Sequence, residues 1–118
     1  MRSVLIIAHG SRAKETENGF DVIVEMVRQK LPELVIESAY MQLSDKTFEA
    51  AVTDLVARGA TEVRIVPYFL FTGMHIRQDI PEMIDGFAKQ FPGVGFSLGQ
   101  PLGIDERLAD VLVDRIKA

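Results

Sequence analysis

Only two histidines occur in the chain, and each follows an apolar run. His9 ends Val4-Leu5-Ile6-Ile7-Ala8 and precedes Gly10-Ser11-Arg12; His75 follows Pro67-Tyr68-Phe69-Leu70-Phe71-Thr72-Gly73-Met74. Neutral imidazole suits iron, cobalt, nickel and zinc, and near neutral pH it also exchanges a proton. Two imidazoles together leave several coordination positions open, which fits a metal that is handed on rather than stored. A single histidine is more often a structural hydrogen-bonder, so the pair matters only if the fold brings both to one place.

Other residues could complete such a site. Gly10-Ser11-Arg12 opens the loop into a helix, where backbone amides and the helix dipole favour an anion. Ser11 and Arg12 are candidates for a ligand carboxylate or phosphate, and equally for a helix cap and a solvated arginine. Gly73 is expected to supply the turn that aims His75. Arg77 and Lys14 are candidates for a basic rim, although solvation alone would account for each. At least half of Tyr68-Phe69-Leu70-Phe71 is expected to continue a strand into the core, and the rest, Phe71 included, to wall a flat hydrophobic ligand. Met74 is expected to pack rather than to ligate.

The elements that must position these residues follow from hydrophobic spacing. Val4 to Ala8 reads as a buried strand. Phe20, Ile23, Val24, Val27 and Leu31 recur at helical spacing, and that helix ends before Pro32. Leu34 to Tyr40 reads as a second strand, interrupted by Glu37 and Ser38. A second helix carries Phe48, Val52, Leu55 and Val56, with Ser44 or Asp45 as its cap and Gly59 as its stop. Glu62 to Val66 is a third strand.

Asp79-Ile80-Pro81-Glu82 reads as a helix entry, because proline suits a position whose amide has no partner. That places His75 in a long loop, Tyr68–Gln78. Ile80, Met83, Ile84, Phe87 and Phe91 then stripe a third helix. Val94 to Leu98 is a fourth strand, and Leu108, Val111, Leu112 and Ile116 mark a last helix. The expectation is one α/β domain over residues 1–118: a three-layer open parallel sheet in the flavodoxin-like order 2-1-3-4, with helices on both faces. In that order the winding reverses between strands one and three, and ligands bind there, beyond the strand carboxyl ends. His9 and His75 both fall at that point.

Bulk properties remove several classes. At 118 residues the chain can bury roughly two-thirds of its unfolded surface. A net charge of −4 without a Lys/Arg cluster argues against nucleic acid. The absence of cysteine removes disulfides, thiolate catalysis and iron–sulfur ligation. No stretch approaches the roughly 20 apolar residues of a spanning helix, so no membrane role and a cytoplasmic location are expected. No Walker loop or GxGxxG occurs, and the strand-one loop lacks both the Ser/Thr run of a flavodoxin and the acidic pair of a receiver domain. Histidine phosphatases share a His-Gly at this place but precede it with arginine, where this chain has Ala8.

The opening Leu5-Ile6-Ile7-Ala8-His9-Gly10-Ser11-Arg12 resembles that of the CbiX-type sirohydrochlorin chelatases. Val66 to Pro81 is similar to their second signature, Pro-x-Phe-Leu-x-x-Gly-x-His-x-x-x-Asp-Ile-Pro. The resemblance runs the length of the chain in element order. It implies a class II chelatase, which inserts Co²⁺ or Fe²⁺ into a tetrapyrrole without ATP, in cobalamin or siroheme synthesis. It also implies that His9 and His75 hold the metal and assist proton removal. The metal is then a substrate, and no prosthetic group is expected.

The carboxylates of sirohydrochlorin would give Gly10, Ser11, Arg12 and Arg77 something to hold. The family often carries a glutamate just after strand two, where this chain reads Ala39-Tyr40-Met41-Gln42. Gln42 offers a carbonyl oxygen but cannot take a proton. Either the base work falls to the histidines, which is the expectation, or a nearby carboxylate such as Glu15 substitutes, or activity is impaired. Longer relatives fuse two such domains, so a homodimer is expected of one. A non-catalytic tetrapyrrole or metal carrier is the alternative reading, and a histidine-phosphatase-like enzyme a remote one.

Overall fold

β1 (Arg2–Ala8) lies inside a four-stranded sheet because its residues are apolar toward both faces. Leu5 and Ile7 point to one side and Ile6 and Ala8 to the other, and all four are buried. The computed structural model describes residues 1–118 except for the side chain of His75, which lies outside the described residues. β1 pairs in parallel with β2 (Val35–Tyr40) and with β3 (Glu62–Pro67), and β3 pairs in parallel with β4 (Gly95–Leu98), in the order β2-β1-β3-β4. Winding reverses between β1 and β3, as expected from the sequence.

The two sides of the sheet are filled unequally. On one side α2 (Phe48–Ala57) and α3 (Met74–Gln90) close a cluster that includes Leu5, Ile7, Phe48, Leu55, Ile65 and Ile80. Full burial of side chains of this size contributes about 1.5–3 kcal/mol each. On the other side α1 (Lys14–Lys30) covers β1 and β2 through Phe20 and Val24, against Ile6, Ala8, Ile36 and Tyr40. α4 (Glu106–Lys117) buries no residue on either side. Three helices thus flank the sheet on both faces, and the expected packing of the fourth is not found.

Local corrections have physical causes. α3 begins at Met74, not at Asp79, which shortens the loop to Tyr68–Gly73 and leaves Pro81 inside the helix. Ile76 and Ile80 both pack on the core, and their burial offsets the roughly 3 kcal/mol that an interior proline costs. The cap of α2 is Thr47, whose Oγ1 accepts from the Ala50 amide at 3.1 Å, rather than Ser44 or Asp45. Gly59 does end α2, at φ +99°. Glu37 and Ser38 do not interrupt β2. Glu37 sits between Arg28 (3.7 Å) and Arg58 (3.2 Å), and the buried Ser38 hydroxyl accepts from Lys46 Nζ at 2.8 Å.

Candidate functional site

The carboxyl ends of β1, β2 and β3 come level because the strands are parallel and in register: Ala8 stands opposite Tyr40, and Ile7 opposite Pro67. The next residues therefore share one layer. The ladder runs past the strand ends, with the Met41 amide donating to Ala8 O (2.9 Å), Gln42 to His9 O (3.0 Å) and Tyr68 to Ile7 O (2.7 Å). His9 is exposed, and its ring lies 4.1 Å from that of the buried Phe69, tilted by 39°. An apolar ring behind and solvent in front leave the imidazole nitrogens available.

Gly10 has φ +101°, and a Cβ there would collide with the carbonyl of Gln42. Glycine at this position lets the backbones of residues 10 and 42 cross closely and fixes where position 42 stands relative to His9. Ser11 Oγ accepts from the Ala13 amide at 3.0 Å, so part of its capacity serves the local turn. Arg12 is exposed beside it, at the entrance to α1. The first amides of α1 have no carbonyl partner within the helix.

His9, Gly10 and Ser11 line a hollow of about 440 Å³ on the α1 side, with Glu15, Gly19, Phe20, Tyr40 and Tyr68 among its other walls. Phe20 stands 5.4 Å from Tyr40 and 5.2 Å from Tyr68, ring to ring. Burial raises the Tyr40 phenol above its ordinary value, and the Asp21 and Glu17 carboxylates add to this. The hydroxyl stays protonated and can donate. The sequence reading gave Tyr40 no role at the site, took Tyr68 only as part of the Tyr68–Phe71 stretch, and mentioned Glu15 only as a substitute carboxylate. The signal was available: in a parallel sheet of this order the residues at the ends of adjacent strands must meet.

The loop Tyr68–Gly73 separates this hollow from a second, of about 390 Å³, that Thr72, Arg77, Ile80 and Pro101 help to line. Arg77 thus belongs to the far side of the loop. Phe69 alone of the four residues Tyr68–Phe71 is fully buried; Phe71 is 70% exposed on the ridge, less core and more open wall than expected. Gly73, at φ −71°, is the N-cap position of α3 and has open space where a Cβ would stand. The turn there does not demand glycine, contrary to expectation. His75 occupies the first turn of α3, on the connection that leaves β3 beside His9's strand. Its role as a ligand or base falls outside the described residues. Gln42 is exposed, tied to His9 through the backbone. Among the described residues no three His, Asp or Glu side chains gather to hold a metal ion, and no helix is long and apolar enough to cross a membrane.

Known proteins agree with this architecture. A sirohydrochlorin ferrochelatase of Priestia megaterium is 36% identical over 98% of this chain and 44% of its own length. A sirohydrochlorin cobaltochelatase of Methanosarcina acetivorans is 30% identical over 97% of this chain and 93% of its own. The crystal structure of the sirohydrochlorin chelatase SirB from Bacillus subtilis subspecies spizizenii in complex with cobalt superimposes with a TM-score of 0.91 at 32% identity, over 98% of this chain and 50% of that one. The chain therefore spans about half the length of some relatives and nearly all of others. The sequence model of the CbiX family matches residues 3–118, and the chain belongs to that family.

Proposed function

We propose that this chain inserts a divalent metal, Co²⁺ or Fe²⁺, into sirohydrochlorin without ATP, as a chelatase of cobalamin or siroheme synthesis. The observation that carries the reading is the placement of His9. Its imidazole is open to solvent, seated on Phe69 at the point where the winding of the sheet reverses, on the edge where α3 begins with His75 in its first turn. The curated relatives support the substrate and the metals.

Insertion of a divalent metal releases two pyrrole N–H protons, so the site must hold the metal and accept protons. In this reading His9 and His75 do both, and imidazole near neutral pH suits either task. Glu15 is the one carboxylate among the residues that line the His9 hollow. It offers a proton exit where the family glutamate is replaced by Gln42, whose amide oxygen ligates without taking a proton. Ser11, Arg12 and the first amides of α1 would hold the ring's carboxylates on one side of the Tyr68–Gly73 ridge and Arg77 on the other, with Phe71 against the flat macrocycle. The reading treats residues 1–118 as one functional unit, acting as a homodimer in the cytoplasm.

The test is anaerobic and spectroscopic. Sirohydrochlorin and Co²⁺ or Fe²⁺ are mixed with the protein, with His9→Ala, with His75→Ala and without protein, and the tetrapyrrole absorption is followed. Acceleration by the parent chain and its loss in both variants is the expected result. A bound tetrapyrrole spectrum with no acceleration over the control would reject the enzyme in favour of a carrier.

A further inference from the structure

The part of α1 that roofs the His9 hollow is acidic and unneutralised. Glu15 lines the hollow. Glu17 and Asp21 follow on the flank that carries Arg28, whose Nε donates to Ile36 O of β2 at 2.9 Å, so that flank looks toward β2 and its last residue, Tyr40. Among the described residues none of the three carboxylates makes an ion pair, whereas Glu25, Glu37, Asp54, Glu62 and Asp105 all do. A helix N-terminus favours acids in its first turn. That accounts for Glu15 and Glu17 but not for Asp21, which lies beyond it. Arg12 and Lys14 are exposed and line no part of the hollow.

Tyr40 supplies an observation independent of those charges. It is 5% exposed and forms part of the hollow's wall. Its hydroxyl meets no hydrogen-bond partner among the described residues, yet no buried side-chain oxygen there is left without one. The hydroxyl therefore keeps contact with solvent, and the hollow is the opening on which the residue borders. After burial, the charges of Asp21 and Glu17 raise its pKa, so both carboxylates act on the space that the hydroxyl faces.

Charge and size decide what such a space admits. Three uncompensated carboxylates repel the acidic arms of a macrocycle and attract a cation. The hollow measures about 440 Å³, and the six waters of a hydrated divalent ion occupy about 180 Å³. Among the described residues the carboxylates do not gather into a set that could ligate a metal directly. A hydrated ion needs no such set, because its own waters donate to carboxylate and phenol oxygens that stand several ångströms from the metal.

We propose that this hollow is an outer-sphere arrival site for the metal: Glu15, Glu17 and Asp21 draw in a hydrated divalent cation, the Tyr40 hydroxyl holds it through its waters, and it passes from there to His9 on the same hollow. The site precedes any direct ligation and shares no atom with it. Metal and macrocycle then reach His9 from different directions, the ion from under α1 and the ring over the sheet edge. That the site serves delivery rests on the chelatase reading; that it takes a hydrated cation does not.

The chain has no tryptophan and two tyrosines, and both tyrosines line the hollow, so intrinsic emission reports on it. At low salt and without tetrapyrrole, the protein is titrated with hexaamminecobalt(III), whose six ligands do not exchange, and anaerobically with Co²⁺. The expected result is saturable quenching by both, with the hexaammine response kept in His9→Ala. In Glu17→Gln/Asp21→Asn, with circular dichroism unchanged, the dissociation constant should rise about tenfold. Tyr40→Phe, which leaves Tyr68 to report, should weaken hexaammine binding about threefold. In the insertion assay the double variant should raise the KM for Co²⁺ about tenfold at unchanged kcat and unchanged KM for sirohydrochlorin. No saturable quenching of the parent, or quenching that the double variant leaves unmoved, would overturn the site. A lowered KM for sirohydrochlorin with that for Co²⁺ unchanged would give the hollow to an arm of the macrocycle and equally overturn it. Saturable quenching in a parent chain that inserts no metal would uphold the cation site and reject the chelatase reading alone.

Discussion

The two sides of the sheet divide the labour of the molecule. The side under α2 and α3 is sealed by large side chains from five elements, with Leu5, Ile7, Val52, Leu55 and Ile65 wholly buried. The side under α1 has a smaller cluster, a hollow at the carboxyl edge and a bare stretch over β3 and β4. One side makes the chain fold and the other leaves room for something else. His9 stands astride them, its ring on Phe69 of the sealed cluster and its edge in the open hollow. The candidate imidazole thus has its backing in the sealed cluster.

The largest effect expected is on the open side. His9→Ala should lower the rate of metal insertion by about 10²–10⁴-fold, while thermal unfolding shifts by no more than about 0.5 kcal/mol because the residue is exposed. A comparable loss of stability and activity would erase the division. On the sealed side, Phe48→Ala should cost about 3–5 kcal/mol in denaturant unfolding, whereas Val66→Ala on the half-covered face should cost less than about 1 kcal/mol, since it leaves no closed cavity. Equal costs would mean that the second face is covered after all.

Gly10→Ala tests the seam between the sides. It must displace the Gln42 carbonyl and hold a non-glycine at positive φ, which costs about 1–3 kcal/mol. Insertion should fall as His9 shifts, measurable in the same assay. Thr47→Ala removes one cap from α2 and should cost about 1 kcal/mol by chemical denaturation.

The smallest effect is alkaline. Because the folded-state pKa of Tyr40 lies above its ordinary value of 10.0, its contribution to stability is intact below about pH 10 and is lost as pH rises through the folded value. Tyr40→Phe should flatten that decline in melting temperature. An unchanged slope would show that the phenol is not enclosed by Phe20 and the α1 carboxylates.

The strand order and the edge of the candidate site were legible because short strand-like segments alternating with amphipathic stripes admit few arrangements of four βα units. The start of α3 was not, because Pro81 is a strong local signal and the burial of Ile76 and Ile80 that overrides it is a tertiary fact. That α4 buries no residue was hidden for a related reason: an amphipathic stripe states that a helix wants a partner, not where it finds one. Likewise Gln42 was singled out because the family resemblance puts a glutamate there, but its backbone tie to His9 emerges only once β1 and β2 are laid side by side. The hollow's tyrosines carry no motif at all, and only the register of the sheet assembles them.

The crossing of the Gly10 and Gln42 backbones has a consequence for how such a site can change. Alignment of position 42 with His9 depends on main-chain atoms alone, the Gln42 amide on His9 O and the absence of a Cβ at Gly10. The side chain at 42 is therefore a plug in a fixed socket. Glutamine can be exchanged for a carboxylate, or for a softer ligand, without rebuilding the scaffold that aims it. On the reading proposed above, with Gln42 beside the metal, such a site would change its metal preference by single substitutions while the fold stays still.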